Sequence, residues 1–349
     1  MTDRRVAVVG GGYFARYQIA AWTRIAGVAL TCVADGAAGA RARVRAEFAG
    51  LPVVEDAEAA LDLGPLDILD IATPPAAHAG LIRRALGRVP CVICQKPFCN
   101  SVEEARDITA EAEAAGTRLV VHENFRFQPW YREAARLLAS GRLGAVAQAR
   151  FALRPGDGAG ADAYLDRQPY FRAMPRFLIH ETGIHLIDVF RFLFGAPAGV
   201  YADLRRVNPV IVGEDAALVI LDLAGGGRAL FDGNRTLDHA AHDPRLTMGE
   251  LEIEGAAASL RLTGDGRLWL RERGAAAWAE HPHVFVDRDF GGDCVQAFQQ
   301  HVVDALDGRG GIETLARDYL ANLEVERLVY QSAAEGRKIE IGPPGGDGR

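Results

Sequence analysis

Cysteine is scarce in this chain, with five in 349 residues. An odd handful over that length excludes a disulfide framework and predicts free thiols in a reducing compartment. Two of them, Cys91 and Cys94 in "CVIC", have the spacing of a metal or redox pair. The run around them is apolar and reads as a strand, however, where residues three apart point to opposite faces. Long hydrophobic runs are also missing. None approaches the roughly 20 residues that span a bilayer, which excludes a membrane helix. The opening "MTDRRVAVVGGGYF" carries an arginine pair, as export signals do, but its apolar run is short and broken by three glycines. It reads as a buried first strand, and the chain is expected to be cytoplasmic. Positive charge is not in excess either. The net charge of −7 gives no electrostatic case for nucleic acid or an anionic membrane as a partner.

What the chain does have is rhythm. A composition of 49% hydrophobic and 24% charged residues suits a globular protein of about two domains. In the first third, the apolar runs "RVAVVG", "VALTCVAD", "LDILDIAT", "CVICQK" and "RLVVH" alternate with helical patterns. Strands buried on both faces read this way, and the βαβα order predicts a doubly wound parallel sheet of Rossmann type. "SVEE" is a capping box at Ser101 and Glu104. After His122 the pattern changes to a helix over about Pro129–Ser140, the strand "AVAQARFAL", a polar loop and a long helix from about Pro175 to Phe194. From Val200 to about Val286, strand-like stretches are divided by "LAGGGR", "EGAAAS" and "TGDGR", and two amphipathic helices close the chain. That spacing predicts an α+β domain with a large, mostly antiparallel open sheet. The expected division is a dinucleotide-binding domain over 1–122 and a second, substrate-binding and oligomerisation domain over 123–349, with a disordered tail at 343–349.

Gly10, Gly12 and Ala15 form a GxGxxA pattern between the first strand and the first helix. The first glycine permits a tight turn, the second admits a pyrophosphate, and the third, small residue lets helix and strand pack. The helix N-terminus then offers N–H groups to the phosphates. Tyr13 and Phe14 lie in the same turn and are read as cofactor contacts. Asp35 ends the second strand, where a carboxylate takes ribose hydroxyls and repels a 2′-phosphate. No arginine follows it immediately, so NAD is expected in preference to NADP.

Ligands of open α/β sheets sit at the carboxyl ends of the strands. Gln95 and Lys96 end "CVICQK" and are both read as cofactor contacts, and the Lys96 ammonium is placed to hydrogen-bond a substrate oxygen or to shuttle its proton. Thr73 and Pro74 end the preceding strand and are expected to line the nicotinamide ribose. His78 opens the next helix, as either a packing residue or a ligand contact.

"HETGIHLID", residues 180–188, holds the densest set of titratable groups. On a regular α-helix His180 and His185 are roughly 140° apart and cannot share a metal ion, so no metal is expected. Glu181 and His185 share a face, and Gly183 between them leaves room for a close approach. Oxidation of an alcohol needs such a pair, since a base must take the O–H proton as the hydride leaves.

At this point the segments "GGGYFA", "ATPPAAH", "QKPF", "ENFRF", "LASGRLGAV" and "ETGIHLIDVFRFLFG", in that order, resemble the glucose–fructose oxidoreductase / inositol dehydrogenase / MocA family. The resemblance covers nearly the whole chain. It implies that Lys96 and His185 sit where the family's catalytic lysine and histidine sit, and that the open sheet forms a homodimer or homotetramer. From their shared helix face and the place of Lys96 at a strand end, Glu181 and His185 are expected to face Lys96 across the cleft between the domains. It also implies that Asn124 contacts the cofactor and Arg126 the substrate. Tyr164 and Arg172, in and beside the loop Gly156–Tyr170, complete the substrate candidates; for Arg172 and Arg176 a plain surface role stays open. Two positions depart from the family pattern, with Gln95 where glutamate is usual and Glu181 where aspartate is usual. The expected activity is hydride transfer between NAD(H) and a secondary alcohol of a sugar, cyclic polyol or sugar acid. An NAD-binding sensor without turnover, or a hydrolase or lyase using NAD transiently, are the alternatives.

Overall fold

The computed structural model describes residues 3–166 and 168–342; the tail at 343–349, expected to be disordered, lies outside them. The chain forms two compact units. One runs up to Asn124 and takes back Val295–Ala321 from much later in the sequence; the other holds Phe125–Cys294 and the chain from Asn322 onward.

The first unit is a six-stranded sheet. Along the chain come β1 (Arg4–Val9), α1 (Ala15–Trp22), β2 (Val28–Ala34), α2 (Ala38–Glu47), β3 (Val53–Val54), α3 (Ala57–Asp62), β4 (Ile68–Ile71), α4 (His78–Ala85), β5 (Cys91–Gln95), α5 (Val102–Ala114) and β6 (Arg118–His122). The strands lie in the order β3-β2-β1-β4-β5-β6, all parallel. The order reverses between β1 and β4, which puts the ligand crevice beyond their carboxyl ends. β4 and β5 are buried throughout, as strands covered on both faces must be. Ser101 caps α5 by accepting from the Glu104 amide at 3.1 Å, while the Glu104 carboxylate reaches back to the Asn100 N–H at 2.9 Å rather than to Ser101 itself. The free edge of β6 is closed by the returning segment, where Val121 N–H donates to Thr314 O at 2.9 Å. All five cysteines are free and buried.

The second unit is a nine-stranded sheet with helices on one face. It contains α6 (Pro129–Ala139), β7 (Val146–Leu153), α7 (Ile184–Phe194), β8 (Pro197–Arg205), β9 (Ala216–Leu223), β10 (Arg228–Asn234), β11 (Gly249–Gly255), β12 (Ala258–Leu262), β13 (Leu268–Glu272) and β14 (Ala279–His281). After these the chain forms α8 (Cys294–Leu306), α9 (Ala316–Glu335) and the short β15 (Ile339–Glu340). The order is β14-β13-β12-β11-β7-β10-β9-β8-β15. Only β7 and β10 pair in parallel among these neighbours, so the sheet is mixed and mostly antiparallel. Alternate residues such as Phe151, Val219, Phe231, Ile253 and Leu260 pack against Tyr131, Leu137, Leu186, Phe190 and Leu328 from the helices. No described helix is long and apolar enough to cross a membrane.

One element departs from expectation. The long helix read from Pro175 begins instead with a π-helical turn over Leu178–Gly183, and regular α-helix starts only at Ile184.

Candidate active site

The glycine turn in the first unit is shaped by close packing. Gly10 has φ +117°, and a Cβ there would lie 2.7 Å from the Ala72 carbonyl group at the end of β4. A Cβ on Gly12 would meet nothing within 4 Å, so the space beside this residue is open. No side chain caps α1, and its first turn carries no acid, which leaves the helix N-terminus to an anion. Asp35 is bound to the same turn. Its Oδ2 accepts from the Gly11 amide and its Oδ1 from the Ala37 amide, both at 2.7 Å. An ionised carboxylate has about four acceptor sites, so two remain for a pair of ribose hydroxyls. The Thr73 Oγ1, beyond β4, is buried with no hydrogen-bond partner, as expected of a group awaiting a ligand. These residues fit a dinucleotide. Arg41, from the second turn of the loop-and-helix after β2, donates to the carbonyls of Asp35 and Gly36 at 2.8 and 2.9 Å; an arginine is thus closer to the acid than its sequence distance suggests.

Lys96 follows β5 half-buried, and the Lys96–Pro97 peptide is cis. The main-chain N–H of Lys96 donates to the side-chain Oε1 of Gln95 at 2.8 Å. Pro74 is exposed at the start of the short turn Pro75–Ala77. His78 is fully buried, with Nε2 2.7 Å from Thr73 O and Nδ1 3.0 Å from Phe98 O. Burial holds the imidazole below its usual pKa. The neutral ring has one N–H and donates to one of these carbonyls at a time, tying the loop after β4 to the loop after Lys96. Asn124 is also buried. Tyr13 is exposed, with the Arg16 guanidinium 5.4 Å over its ring, and Phe14 packs on Tyr17.

In the second unit, His185 is 4% exposed and lies flat on Phe125, with ring centroids 3.9 Å apart and planes 3° from parallel. A ring held by its face presents its nitrogens only at the edge. Glu181, half-buried, sits in the π turn. That turn closes i→i+5 hydrogen bonds and is wound wider than an α-helix, so the α-helical phase expected for this segment does not apply. Different partners separate the histidines instead: His180 Nδ1 meets Glu326 Oε1 of α9 at 2.7 Å. A Cβ on Gly183 would press on Ile179 Cδ1 at 3.1 Å, so this glycine serves the packing of the turn itself. The turn is capped from a distance. Glu214 Oε1 accepts from the amides of Phe177 and Ile179 at 3.2 and 3.1 Å and from the Tyr330 hydroxyl at 2.7 Å.

Two further ion pairs brace this region. Asp188 is fully buried and accepts from Arg126 Nε and Nη2 at 2.7 and 2.5 Å and from Asn322 Nδ2 at 2.6 Å. Both forks of the Arg126 guanidinium used there belong to a structural pair. Arg235, 3% exposed, grips Asp157 at 3.1 and 2.5 Å and donates to Thr182 Oγ1 of the π turn at 2.8 Å. Its guanidinium lies between the rings of Tyr164, Phe171 and Phe177. Tyr164 itself, at φ +71°, packs inside that cluster. Arg172 donates to the carbonyls of Ala163 and Ala161 at 2.8 and 2.5 Å, holding the loop's shape, and Arg176 stacks on Tyr330. Sequence reasoning missed Asp157, Glu214 and Arg235; no local motif surrounds them, and their partners are distant in the chain. Among the described residues, no group of three or more His, Cys, Asp or Glu side chains is placed to hold a metal ion.

Comparison with known proteins agrees with this architecture. Residues 4–123 match GFO_IDH_MocA, described as an oxidoreductase family with an NAD-binding Rossmann fold, and residues 131–261 match the GFO/IDH/MocA C-terminal domain. A D-apiose dehydrogenase of Paraburkholderia graminis is 33% identical over 96% of this chain and 89% of its own length. Another, from Rhizobium rhizogenes, is 31% identical over 98% of this chain and 99% of its own. An oxidoreductase from Agrobacterium radiobacter, solved in complex with NAD+, L-tartaric acid and magnesium, superposes with a TM-score of 0.86 at 31% identity, covering 97% of this chain and 98% of that one.

Proposed function

The chain belongs to the GFO/IDH/MocA family of NAD-binding oxidoreductases, and from that premise we propose that it is an NAD-dependent dehydrogenase oxidising a secondary alcohol of a sugar, cyclic polyol or sugar acid. The observation that carries the cofactor assignment is the Asp35 carboxylate, held by the glycine turn with acceptor sites to spare. The likeness to two D-apiose dehydrogenases along nearly the full chain supports a small sugar as substrate.

Gly10, Gly12 and the start of α1 would hold the pyrophosphate, Asp35 the adenosine ribose, and Thr73 the ribose beside the nicotinamide. The bound nicotinamide supplies the hydride acceptor. Lys96 donates a hydrogen bond to the reacting oxygen, which favours the developing alkoxide character, and His185 takes the hydroxyl proton at its ring edge. Phe125 fixes the plane of that ring, so its nitrogen meets the proton without a search through rotamers. Glu181 orients the imidazole or binds a neighbouring hydroxyl. The assembly proposed is a homodimer or homotetramer through the second unit's sheet, working in the reducing compartment that the five free thiols suit.

The test is NADH fluorescence with NAD and a panel of D-apiose, aldoses, inositols and uronates. Steady NADH formation matched by oxidised sugar is the expected result. Tight cofactor retention with no net NADH from any member would overturn the reading in favour of a transient redox role.

A further inference from the structure

Asp70 stands in the middle of β4 with no solvent exposure, and nothing in the proposed reaction uses it. Burying a carboxylate is costly unless its hydrogen bonds do something an apolar residue could not. This one accepts from Gln18 Nε2 at 2.9 Å and Trp22 Nε1 at 2.8 Å, both on α1, and more weakly from Gln299 Nε2 of α8 at 3.5 Å. Burial outweighs these donors and pushes the carboxyl up to about 7.

The bonds continue away from Asp70 in one direction. Gln18 Oε1 accepts from Gln95 Nε2 at 3.5 Å, and Gln95 Oε1 accepts from the main-chain N–H of Lys96 at 2.8 Å. A side-chain amide has one accepting oxygen and one donating nitrogen, so each bond dictates the next. The Lys96 N–H can only donate, which fixes the Gln95 oxygen toward it and the Gln95 nitrogen toward Gln18. Gln18 must then turn its own nitrogen to Asp70. Trp22 Nε1 is likewise donor-only, so the far end of the chain needs an acceptor, and an ionised carboxylate supplies it. Reversing either glutamine would set two donors or two acceptors against each other in a buried site.

We infer that Asp70, Gln18 and Gln95 form a positioning relay that fixes the backbone of Lys96 and thereby the direction in which its ammonium points. The inference rests on the reading of Lys96 as the group that binds the reacting oxygen. None of the three touches substrate; each acts through the lysine. The glutamine at position 95, where a carboxylate would accept from Lys96 but not donate to Gln18, is what lets the relay run through to β4.

A double-mutant cycle tests it, at pH 8 and with the panel sugar that gives the fastest NADH formation. Asp70→Asn should lower kcat on the order of tenfold, as a small misplacement of a reacting group does, while the Kd for NADH and the fold by near-ultraviolet circular dichroism stay unchanged. In a Lys96→Met background the same substitution should leave the residual kcat untouched, because the group it positions is gone. A loss of packing would lower kcat in both backgrounds. Gln18→Met breaks the middle link and repeats the cycle should Asp70→Asn not fold. Equal effects in both backgrounds, or no effect in the wild type, would refute the relay. If Lys96→Met itself retains full kcat, it is the assignment of Lys96 that fails.

Discussion

His180 and His185 are five residues apart in one helical segment, and their surroundings assign them different work. His185 is buried on Phe125, whereas His180 is paired with Glu326. We therefore expect His185→Ala and Lys96→Met each to lower kcat by roughly 10²–10⁴-fold, the usual worth of an acid–base group, with NADH binding intact. His180→Ala should cost far less, and EDTA nothing; a chelation-sensitive enzyme, or a His180 variant as damaged as the His185 one, would revive a metal site. At the cofactor end, NAD should bind at least about tenfold more tightly than NADP because Asp35 repels a 2′-phosphate. Asp35→Ala should narrow that gap, the more so because Arg41 lies beside the vacated position; calorimetric titration with both cofactors reads it directly. Asp70 makes a prediction about pH. Its folded carboxyl titrates near 7, and an unfolded one near about 3.9. Between those values the folded chain keeps a proton that the unfolded chain has lost, so the group's stabilising contribution is complete at low pH and disappears as pH rises through 7. From pH 5 to 8 the wild type should lose on the order of 3 kcal/mol relative to Asp70→Asn in urea unfolding. Parallel curves for the two proteins would contradict this.

The elements most legible in the sequence are those whose causes are local. β1, the glycine turn and β2 ending in Asp35 are written in consecutive residues, as a buried run, a φ that only glycine tolerates easily and a carboxylate at a strand end. The nine-stranded sheet was legible through its turn glycines; a Cβ on Gly227, for instance, would lie 2.4 Å from Val146 O. The π turn was not legible. Residues 178–194 carry an α-helical pattern, and what lies at the head of the turn is Glu214, far along the chain, with Tyr330 behind it. The partner of Arg126 was equally hidden, since Asp188, which it grips in a buried pair, lies far along the chain. Glu214 allows a test at this scale. Glu214→Ala leaves two buried amides and a hydroxyl without their acceptor, at about 1–3 kcal/mol for each group that finds no substitute. We expect a loss of about 3 kcal/mol in denaturant unfolding together with reduced kcat, since Glu181 rides on the turn. Glu214→Gln keeps an accepting oxygen and should recover most of both. An Ala variant as stable as the wild type would mean that the cap is dispensable.

At the scale of the whole molecule, the second sheet has one face under helices and one that the described helices of its core do not cover. A single row of cross-strand partners shows how that face is built: Tyr201, Ile220, Leu230, Arg150, Glu252, Arg261 and Trp269 stand in register across β8, β9, β10, β7, β11, β12 and β13. The row is apolar at one end and alternately charged toward the other. Tyr201 and Leu218 on this face are exposed at 39% and 52%, apolar surface that a second copy would cover. Strands about 4.8 Å apart and about six residues long, nine of them, make a face on the order of 800 Å², which is what one partner contributes to a standard interface. Two copies related by a two-fold axis would bury the apolar end and cross their charged rows with opposite signs available to both. Light scattering at micromolar concentration should therefore report a dimer or tetramer. Ile220→Arg, at the centre of the apolar end, would bring a like charge from each copy into the contact and should give monomers that remain folded. Val284→Arg, at a fully solvated position outside the strands, should leave the assembly intact. A wild-type monomer, or an oligomer indifferent to Ile220→Arg, would show that this face is not where the copies meet.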